Sequence, residues 1–274
     1  MIFRDRGIEI KTREQIISMR AAGLVVGRTL ELLRGEVRPG ISTGELDKIA
    51  EDSIRSAGAS PSFKGYHGFT GSICASVNEE IVHGIPGDRV LQEGDLISID
   101  CGAIVDGWHG DAAITVPVGA VDPALLDLAR VCEESMWRGF AAAKLGGRLT
   151  DISAAVEQHV RAQSNYGIVT DFVGHGIGSA MHQPPNVPNY GKPGRGPKLV
   201  EGLALAVEPM LTLGKQDNHT LDDDWTVVTD DGQASAHTEH TFTLTPQGPW
   251  ILTALDGGEA KLAELGVSCG ALTD

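Results

Sequence analysis

The sequence predicts an α+β protein built from two pseudo-symmetric halves of similar order. The chain has 274 residues, and 41% of them are apolar, which is enough for a substantial core. Helical periodicity and strand-type alternation occur in the order helix, helix, strands, and this order occurs twice. We therefore expect one domain over 1–274 with duplicated halves at about 12–120 and 122–252. The alternative is an ordinary α+β domain in which the repeated order is coincidental.

Two capping motifs predict the helices of the first half. Thr12 and Gln15 form a capping-box pattern before an apolar stripe at helical spacing. Ser42 and Glu45 form the same pattern before a second amphipathic stretch. Strand-type sequence then follows at 72–77, 96–105 and 108–118.

The second half repeats this order. Asp122 and Pro123 supply an N-cap and a first-turn proline for a long helix, which we expect to end at Gly146. A fourth helix is expected over roughly 151–164. Strand-type sequence follows at 168–173, 204–213, 225–229 and 236–244. The stretch 184–198 is rich in proline and glycine and is expected to be a loop.

Charge and composition argue against several classes of function. The chain has 37 acidic and 22 basic residues, and a net charge of −15 is a poor match for nucleic acid or anionic membranes. We expect no secretory signal and no membrane span, because long apolar runs are absent from the sequence. The four cysteines form no CxxC pair, so free thiols in a reducing compartment fit best. We therefore expect a cytoplasmic protein.

A predicted hairpin brings two aspartates onto one face. With Asp106 and Gly107 as the turn, the pairing places Gly102 opposite Asp111. Asp100 lies two residues before Gly102, so Asp100 and Asp111 are diagonal neighbours, about 7–8 Å apart at the backbone. Two carboxylates that face one space need a shared proton or a cation between them. This segment favours a metal site over a pair of strand-end acids.

Three further residues are candidate ligands. His175 is flanked by glycines that allow close backbone approach, although a structural or surface histidine is the competing interpretation. Glu208 lies in a strongly apolar strand, where unpaired burial of its charge would cost several kcal/mol. A strand end facing water is the alternative for Glu208. Glu239 lies among polar residues, so an exposed strand face is the alternative there.

Together these residues provide four carboxylates and one imidazole. Such an oxygen-rich set suits Mn, Fe, Co or Zn and does not suit a thiolate-type structural zinc. Because carboxylates can bridge, the set is large enough for two ions about 3.5–4 Å apart. A site of this kind activates a bridging water and stabilises a developing oxyanion. The residues therefore predict hydrolysis of a peptide-like bond.

The same segments resemble the type I methionine aminopeptidases over roughly residues 8–255. The blocks that carry the resemblance are NEEIVHGIP, DCGAIVDGWHGD, FVGHGIGSAMHQPPNVPN, VEPML, DDWTVVTDDG and TEHTF. The family implies a pita-bread fold, in which two similar αβ halves surround a central cleft with two divalent metal ions. It also implies removal of the initiator methionine from nascent chains that have a free α-amine and a small second residue.

The resemblance implies a role for each candidate residue. The implied metal ligands are Asp100, Asp111, His175, Glu208 and Glu239. Asp111 and Glu239 would bridge the two metals, and Glu208 would also carry the proton of the attacking hydroxide. His83 and His182 would contact the scissile amide and stabilise the tetrahedral intermediate.

The resemblance also implies a methionine pocket and several partners. The implied pocket residues are Tyr66, Phe69, Cys74, Met181 and Trp225. Phe69 and Met181 depart from the commonest occupants, a tyrosine and a phenylalanine, but both are apolar and keep the preference for methionine. Asn78 and Ser235 match positions that help to hold a monovalent cation in relatives. A monomeric state, a transient ribosome contact, and no binding to nucleic acid or membranes are further expectations.

Two rival functions fit parts of this pattern. A proline-specific aminopeptidase or dipeptidase of the same fold would share the ligand spacing. Such relatives usually have an additional N-terminal domain, whereas only 99 residues precede Asp100 here. They also tend to have histidine or alanine where this chain has Asp171, and an acid where this chain has Gln183. A binding module that had lost catalysis would lack ligands, and all five are present.

Overall fold

The structure is a computed structural model that describes residues 7–272. The ends of the predicted domain over 1–274 lie outside the described residues. Helices α1–α5 span Arg13–Glu36, Thr43–Ser56, Pro123–Ala142, Leu149–Gln163 and Glu259–Glu264. Strands β1–β8 span Ser60–Pro61, Ile73–Val77, Glu80–Val82, Leu96–Val105, Trp108–Pro117, Gly167–Ile168, Gly174–Gly176 and Gln183–Val187. Strands β9–β15 span Ala204–Val207, Met210–Thr212, Asn218–Thr220, Val227–Thr229, Ser235–His237, Glu239–Thr245 and Gly248–Ile251. Within the described range, no helix is long and apolar enough to cross a membrane.

Both predicted capping boxes form and begin the helices of the first half. Thr12 and Gln15 exchange backbone and side-chain hydrogen bonds before α1, and Ser42 and Glu45 do the same before α2. The apolar faces of α1 and α2 pack on β2, β4 and β5. The contact between α1 and β5 is close, since a Cβ atom added at Gly110 would lie 2.7 Å from a backbone nitrogen of α1.

One nine-stranded antiparallel sheet joins the two halves. Its order is β1-β4-β5-β14-β9-β7-β8, with β2 also paired to β4 and β15 to β14. The predicted hairpin is confirmed, because Gly102 pairs with Asp111 between β4 and β5. The two halves meet where β5 pairs with β14, at Ala113 opposite Glu239. On the helix-covered face of the second half, α3, α4 and α5 pack against β9, β14 and β15.

Several predicted boundaries are wrong, mostly where the chain turns at polar or proline residues. Helix α3 begins at the predicted Asp122 cap but ends at Ala142, before Gly146. The predicted strand 204–213 divides at Pro209, which has no backbone N–H to donate to a ladder. The predicted strand 236–244 divides at Thr238, whose backbone N–H donates to the carbonyl oxygen of Pro209, and most of 168–173 is irregular.

The predicted loop over 184–198 is also wrong at its start. Residues Gln183–Val187 form β8, which pairs with β7 at the edge of the large sheet. Prolines are tolerated in an edge strand because one side of it needs no ladder hydrogen bonds. The α+β class is confirmed, and each half shows the order helix, helix, strands. The duplication itself stays a prediction.

Candidate metal centre

Five neighbouring strands of the large sheet supply the five predicted ligands. In sheet order these are Asp100 in β4, Asp111 in β5, Glu239 at the start of β14, Glu208 directly after β9, and His175 in β7. Asp100 and Glu239 both pair with Ala113, so the three side chains lie in one row on the same face. Because Ala113 is small, space remains between the two carboxylates. Asp111, two residues away on β5, shares this face.

The ligand face lies opposite the helices. Gly110 faces the backbone of α1, and successive strand residues point to opposite faces, so Asp111 points away from α1. All five candidate side chains are nevertheless buried, with 2–9% of their surface exposed. The alternatives of an exposed strand face for Glu239 and a water-facing strand end for Glu208 are therefore wrong.

Several carboxylate atoms in this cluster need a partner. Asp100 Oδ1, Asp111 Oδ1 and Glu239 Oε1 are buried and have no hydrogen-bond partner among residues 7–272. Leaving a buried polar atom unpaired is costly, and a cation satisfies several such oxygens at once. One donor atom each from Asp111, His175 and Glu239 lie within 4.8 Å of one another, close enough to share an ion.

His175 is oriented as a metal ligand. Its Nδ1 lies 2.9 Å from the carbonyl oxygen of Gly176, which places the proton on Nδ1 and leaves the Nε2 lone pair free. Nε2 lies 3.4 Å from Glu208 Oε1 and 3.9 Å from Glu239 Oε1. Burial, and then the charge of His182, lower the pKa of His175 to about 3, so the imidazole is neutral. The donor set therefore fits a divalent cation.

Without a cation, the buried acids of the cluster disfavour one another's charged forms. Burial raises the pKa of Asp100 to about 7. Burial and the neighbouring carboxylates raise the pKa of three further acids well above the ordinary range, namely Asp111, Glu208 and Glu239. A cation among these groups would favour their charged forms and reverse this effect.

An apolar cavity of about 620 Å³ opens over the cluster. Every residue predicted for the substrate pocket lines it: Tyr66, Phe69, Cys74, Met181, Trp225, His83 and His182. Phe69, Cys74 and Met181 also form one buried apolar cluster, against which Tyr66 and Trp225 pack. The structure thus brings the predicted residues together, while their individual roles stay predictions. Phe63 and Phe172 also line the cavity and are absent from the sequence prediction.

Two neutral histidines flank the ligand cluster. His83 follows β3, and its ring lies 5.6 Å from the ring of Phe172. Burial, and then the charge of His182, lower the pKa of His83 to about 4. His182 lies on the loop between β7 and β8, with Nδ1 2.9 Å from the hydroxyl oxygen of Tyr66. Burial, and then His67, lower the pKa of His182.

A further histidine beside the cluster is missing from the sequence prediction. His237 ends β13 and is 1% exposed, and its Nε2 has no hydrogen-bond partner in the described part of the chain. Nε2 lies 3.8 Å from Glu208 Oε2. Its position two residues before Glu239 is the local signal in the sequence, and that spacing does not indicate the distance from His237 to Glu208.

Asn78 and Ser235, the residues predicted near a monovalent cation, are in contact. The backbone N–H of Ser235 donates to the carbonyl oxygen of Asn78 at 2.8 Å. Asn78 Oδ1 accepts from the backbone of Leu96 at 2.9 Å, and the Ser235 hydroxyl donates to the carbonyl oxygen of Leu211 at 3.0 Å. Both side chains thus have protein partners, and the cation site stays a prediction.

Comparison with known proteins agrees with this geometry. The model of metallopeptidase family M24 matches residues 17–246. With the curled sheet and its ligand face, this match defines a pita-bread metallopeptidase with a divalent-metal site. A methionine aminopeptidase of Clostridium perfringens is 51% identical over 248 residues, which cover 90% of this chain and 99% of the relative. The chain belongs to the type I methionine aminopeptidases of family M24.

Solved structures distinguish this branch from the proline-specific one. The methionine aminopeptidase of Thermotoga maritima superposes with a TM-score of 0.88 at 39% identity, covering 90% of this chain and 99% of that one. The prolidase of Pyrococcus furiosus superposes with a TM-score of 0.72 at 22% identity, covering 89% of this chain but 65% of that one. The second similarity shows the fold alone, so the proline-specific alternative has less support.

Proposed function

We propose that this enzyme removes N-terminal methionine from peptides and nascent proteins whose second residue is small. The observation that carries the proposal is the apolar cavity of about 620 Å³ that ends on a buried cluster of four carboxylates and one imidazole. Membership of the methionine aminopeptidases supports this class of substrate. The bond that is cleaved would therefore lie between the apolar pocket and the ligand cluster.

The five ligands, Asp111 and Glu239 among them, would hold two divalent ions. When bound, these ions would polarise the scissile carbonyl group and lower the pKa of a bound water. The oxygen-rich donor set suits Co, Mn, Fe or Zn. A monovalent cation near Asn78 and Ser235, a transient ribosome contact and a monomeric state remain predictions.

Glu208 would act as the proton carrier. Its two oxygens face different partners, with Oε1 3.4 Å from His175 and Oε2 3.8 Å from His237. Burial raises the pKa of Glu208 in the metal-free protein, and a bound cation would lower it again, so the role as proton carrier rests on the position of Glu208 between the two imidazoles. Glu208 would take a proton from the attacking water and pass it to the leaving amine.

His83 and His182 would stabilise charge on the scissile amide. Both imidazoles are neutral near neutral pH, because burial lowers their pKa. The hydroxyl of Tyr66, donating to Nδ1 of His182, would keep the remaining proton of that ring on Nε2. An N–H donor aimed at a developing oxyanion typically contributes a factor of about 10²–10³ in rate.

The apolar part of the cavity would select methionine. Burial of a methionine side chain contributes about 1.5–3 kcal/mol. Phe69 and Trp225 present an edge-to-face ring pair with centroids 5.0 Å apart, and a thioether beside such rings gains about 0.3–1.5 kcal/mol more. A bulky second residue would displace the scissile carbonyl from the ligand cluster, and a shift near 1 Å can cost about 100-fold in rate.

A panel of peptides tests the proposal. We expect rapid cleavage of Met-Ala-Ser and rates at least about tenfold lower on Met-Lys-Ser and Leu-Ala-Ser, measured as kcat/KM by amino-acid release. Ala-Pro-Ala tests the proline-specific alternative and should resist cleavage. Equal rates on Leu-Ala-Ser and Met-Ala-Ser would contradict the methionine pocket, and preference for Ala-Pro-Ala would support the alternative.

A further inference from the structure

The side chain of His237 has no assigned role although it lies against the ligand cluster. It is 1% exposed, and its Nε2 has no hydrogen-bond partner among the described residues. A buried ring nitrogen that lacks a partner is destabilising, so a compensating interaction is expected. Glu208 Oε2 lies 3.8 Å from this nitrogen.

Glu208 lies between two imidazoles that approach different oxygens. His175 Nε2 is 3.4 Å from Oε1, whereas His237 Nε2 is 3.8 Å from Oε2. One donor atom each from Glu208, His237 and Glu239 also lie within 4.8 Å of one another, so His237 borders the ligand cluster. His237 is therefore placed to act on the carboxylate oxygen that is turned away from His175.

The backbone of His237 is firmly held, so its ring has a defined position. Its N–H lies 3.1 Å from the hydroxyl oxygen of Ser98 and 3.0 Å from that of Thr115. The Thr115 hydroxyl in turn donates to the carbonyl oxygen of His237 at 2.7 Å. His237 also pairs with Met210 across β13 and β10, directly beyond Glu208 and Pro209. One short, hydrogen-bonded strand thus carries the ring to the side of Glu208.

We propose that His237 is a positioning residue that donates its Nε2–H to Glu208 Oε2 and orients this carboxylate for proton transfer. A shift of about 1 Å would bring the present separation of 3.8 Å to hydrogen-bond length. The donor fixes one oxygen of Glu208 and leaves Oε1 to the reacting groups. This inference rests on the proposed role of Glu208 as proton carrier.

Two substitutions separate this role from simple packing. His237→Leu fills the space without a donor, whereas His237→Gln keeps a side-chain N–H at similar reach. We expect kcat on Met-Ala-Ser to fall about 10- to 100-fold in His237→Leu, the usual effect of losing a partner of a metal ligand, with little change in KM. His237→Gln should retain kcat within about threefold. His240→Gln is the matched control, because the His240 ring bonds to Thr253 instead of the ligand cluster.

Metal binding gives a readout that does not depend on turnover. Calorimetric titration with Mn²⁺ and the visible spectrum of the Co²⁺-loaded protein should be the same for the wild type and both His237 variants. Loss of one bound ion, or a changed Co²⁺ spectrum, in His237→Leu would overturn the inference by making His237 a ligand. Equal activity of the leucine and glutamine variants would overturn it as well, because the N–H donor would then be irrelevant.

A parallel Glu208→Gln variant distinguishes the two proposals. Normal turnover by Glu208→Gln would remove the proposed function of Glu208 and the positioning role with it. An inactive Glu208→Gln beside a fully active His237→Leu would overturn the positioning role alone. The expected result is a large loss in Glu208→Gln, a smaller loss in His237→Leu and recovery in His237→Gln.

Discussion

His83 has an unusual backbone conformation and an unusually low pKa. His83 has a backbone φ of 62°, a conformation that is uncommon for a residue with a side chain. Its ring lies among aromatic neighbours, 5.6 Å from Phe172 and 6.1 Å from Trp225, and burial lowers its pKa to about 4. The turn after β3 thus presents a neutral imidazole to the cavity that the ligand cluster also lines.

Substitution of His83 should slow the reaction and leave metal binding intact. We expect kcat of His83→Ala on Met-Ala-Ser to fall about 10²–10³-fold, because a contact to the reacting amide is strongest in the transition state. Metal affinity measured by titration should be unchanged. His83→Asn controls for the backbone, since asparagine tolerates positive φ, and should be similarly slow. A variant that keeps its rate but loses metal would move His83 into the ligand set.

The residues that the sequence predicts best are those whose geometry is local. Asp100 and Asp111 could be placed on one face because a two-residue turn determines the register of the hairpin. His237 could not be placed, because its distance to Glu208 depends on a pairing of β13 with β10. A single sequence carries no direct signal for such a pairing between separate strands.

At the scale of elements, the segment before α1 supports the loop that carries His182. Glu9 accepts hydrogen bonds from the backbone N–H of Ser179 at 3.1 Å, from its hydroxyl at 2.7 Å and from the side chain of Gln183 at 2.9 Å. The side chain of Lys11 is almost fully buried and lies 3.5 Å from Glu9 and 3.3 Å from Gln183. These contacts anchor the loop on both sides of His182.

Weakening this anchor should impair catalysis without affecting the metal site. Burial acts to raise the pKa of Glu9, but hydrogen bonds from Ser179 and Gln183 and the charge of Lys11 lower it to about 2. Glu9→Gln removes the charge, so we expect kcat/KM on Met-Ala-Ser to fall about tenfold, since small displacements of a reacting group are costly. Faster hydrogen exchange over 177–183 should accompany the loss. Glu31→Gln, at an exposed ion pair, is the control, and unchanged exchange and rate in Glu9→Gln would contradict the anchoring role.

The sequence predicts the starts of helices well, because capping residues are local signals. It predicts strands poorly where their limits depend on the whole sheet. The caps of α1, α2 and α3 lie within a few residues of sequence, and all three were recognised. The sequence does not predict strand β8, because its prolines are acceptable only at a sheet edge, and edge position is a property of the whole sheet. The strand around Glu208 was predicted as one piece because its apolar residues continue on both sides of the break.

For the whole molecule, the sheet order brings distant segments to one centre. The ligands come from positions 100 to 239 of the chain, yet they lie on or directly after five strands that are consecutive in the sheet, β4, β5, β14, β9 and β7. Residue types and spacing indicate a metal site, whereas the central cleft that gathers these segments is predicted only through the resemblance. The resulting fold buries four carboxyl groups together, which is unfavourable unless protons or cations accompany them.

Metal removal should therefore make the stability of the whole protein depend on pH in a defined direction. In the metal-free state burial raises the pKa of Asp100 to about 7, and burial with the neighbouring carboxylates raises the pKa of Asp111, Glu208 and Glu239 well above the ordinary range. The folded state then binds more protons than the unfolded state. The stability that these four acids contribute is therefore fully present below their unfolded pKa near 4 and is lost as pH rises through their folded pKa values.

We expect the chelator-treated protein to have a lower Tm at pH 8.5 than at pH 7. Each kcal/mol of unfolding free energy that is lost should lower Tm by about 2–4 °C. The comparison is made above pH 6.5, because the pKa of buried histidines such as His175 and His237 is lowered in the folded state. Below about pH 6.5 these histidines make stability increase with pH, which is opposite to the effect of the acids. Two equivalents of Mn²⁺ should raise Tm at both pH values and remove most of the difference between them. Asp100→Asn has no charge to titrate at this position and should reduce the pH dependence of the metal-free protein. A metal-free Tm that is constant or rises from pH 7 to 8.5 would mean that the buried acids are already paired without a cation.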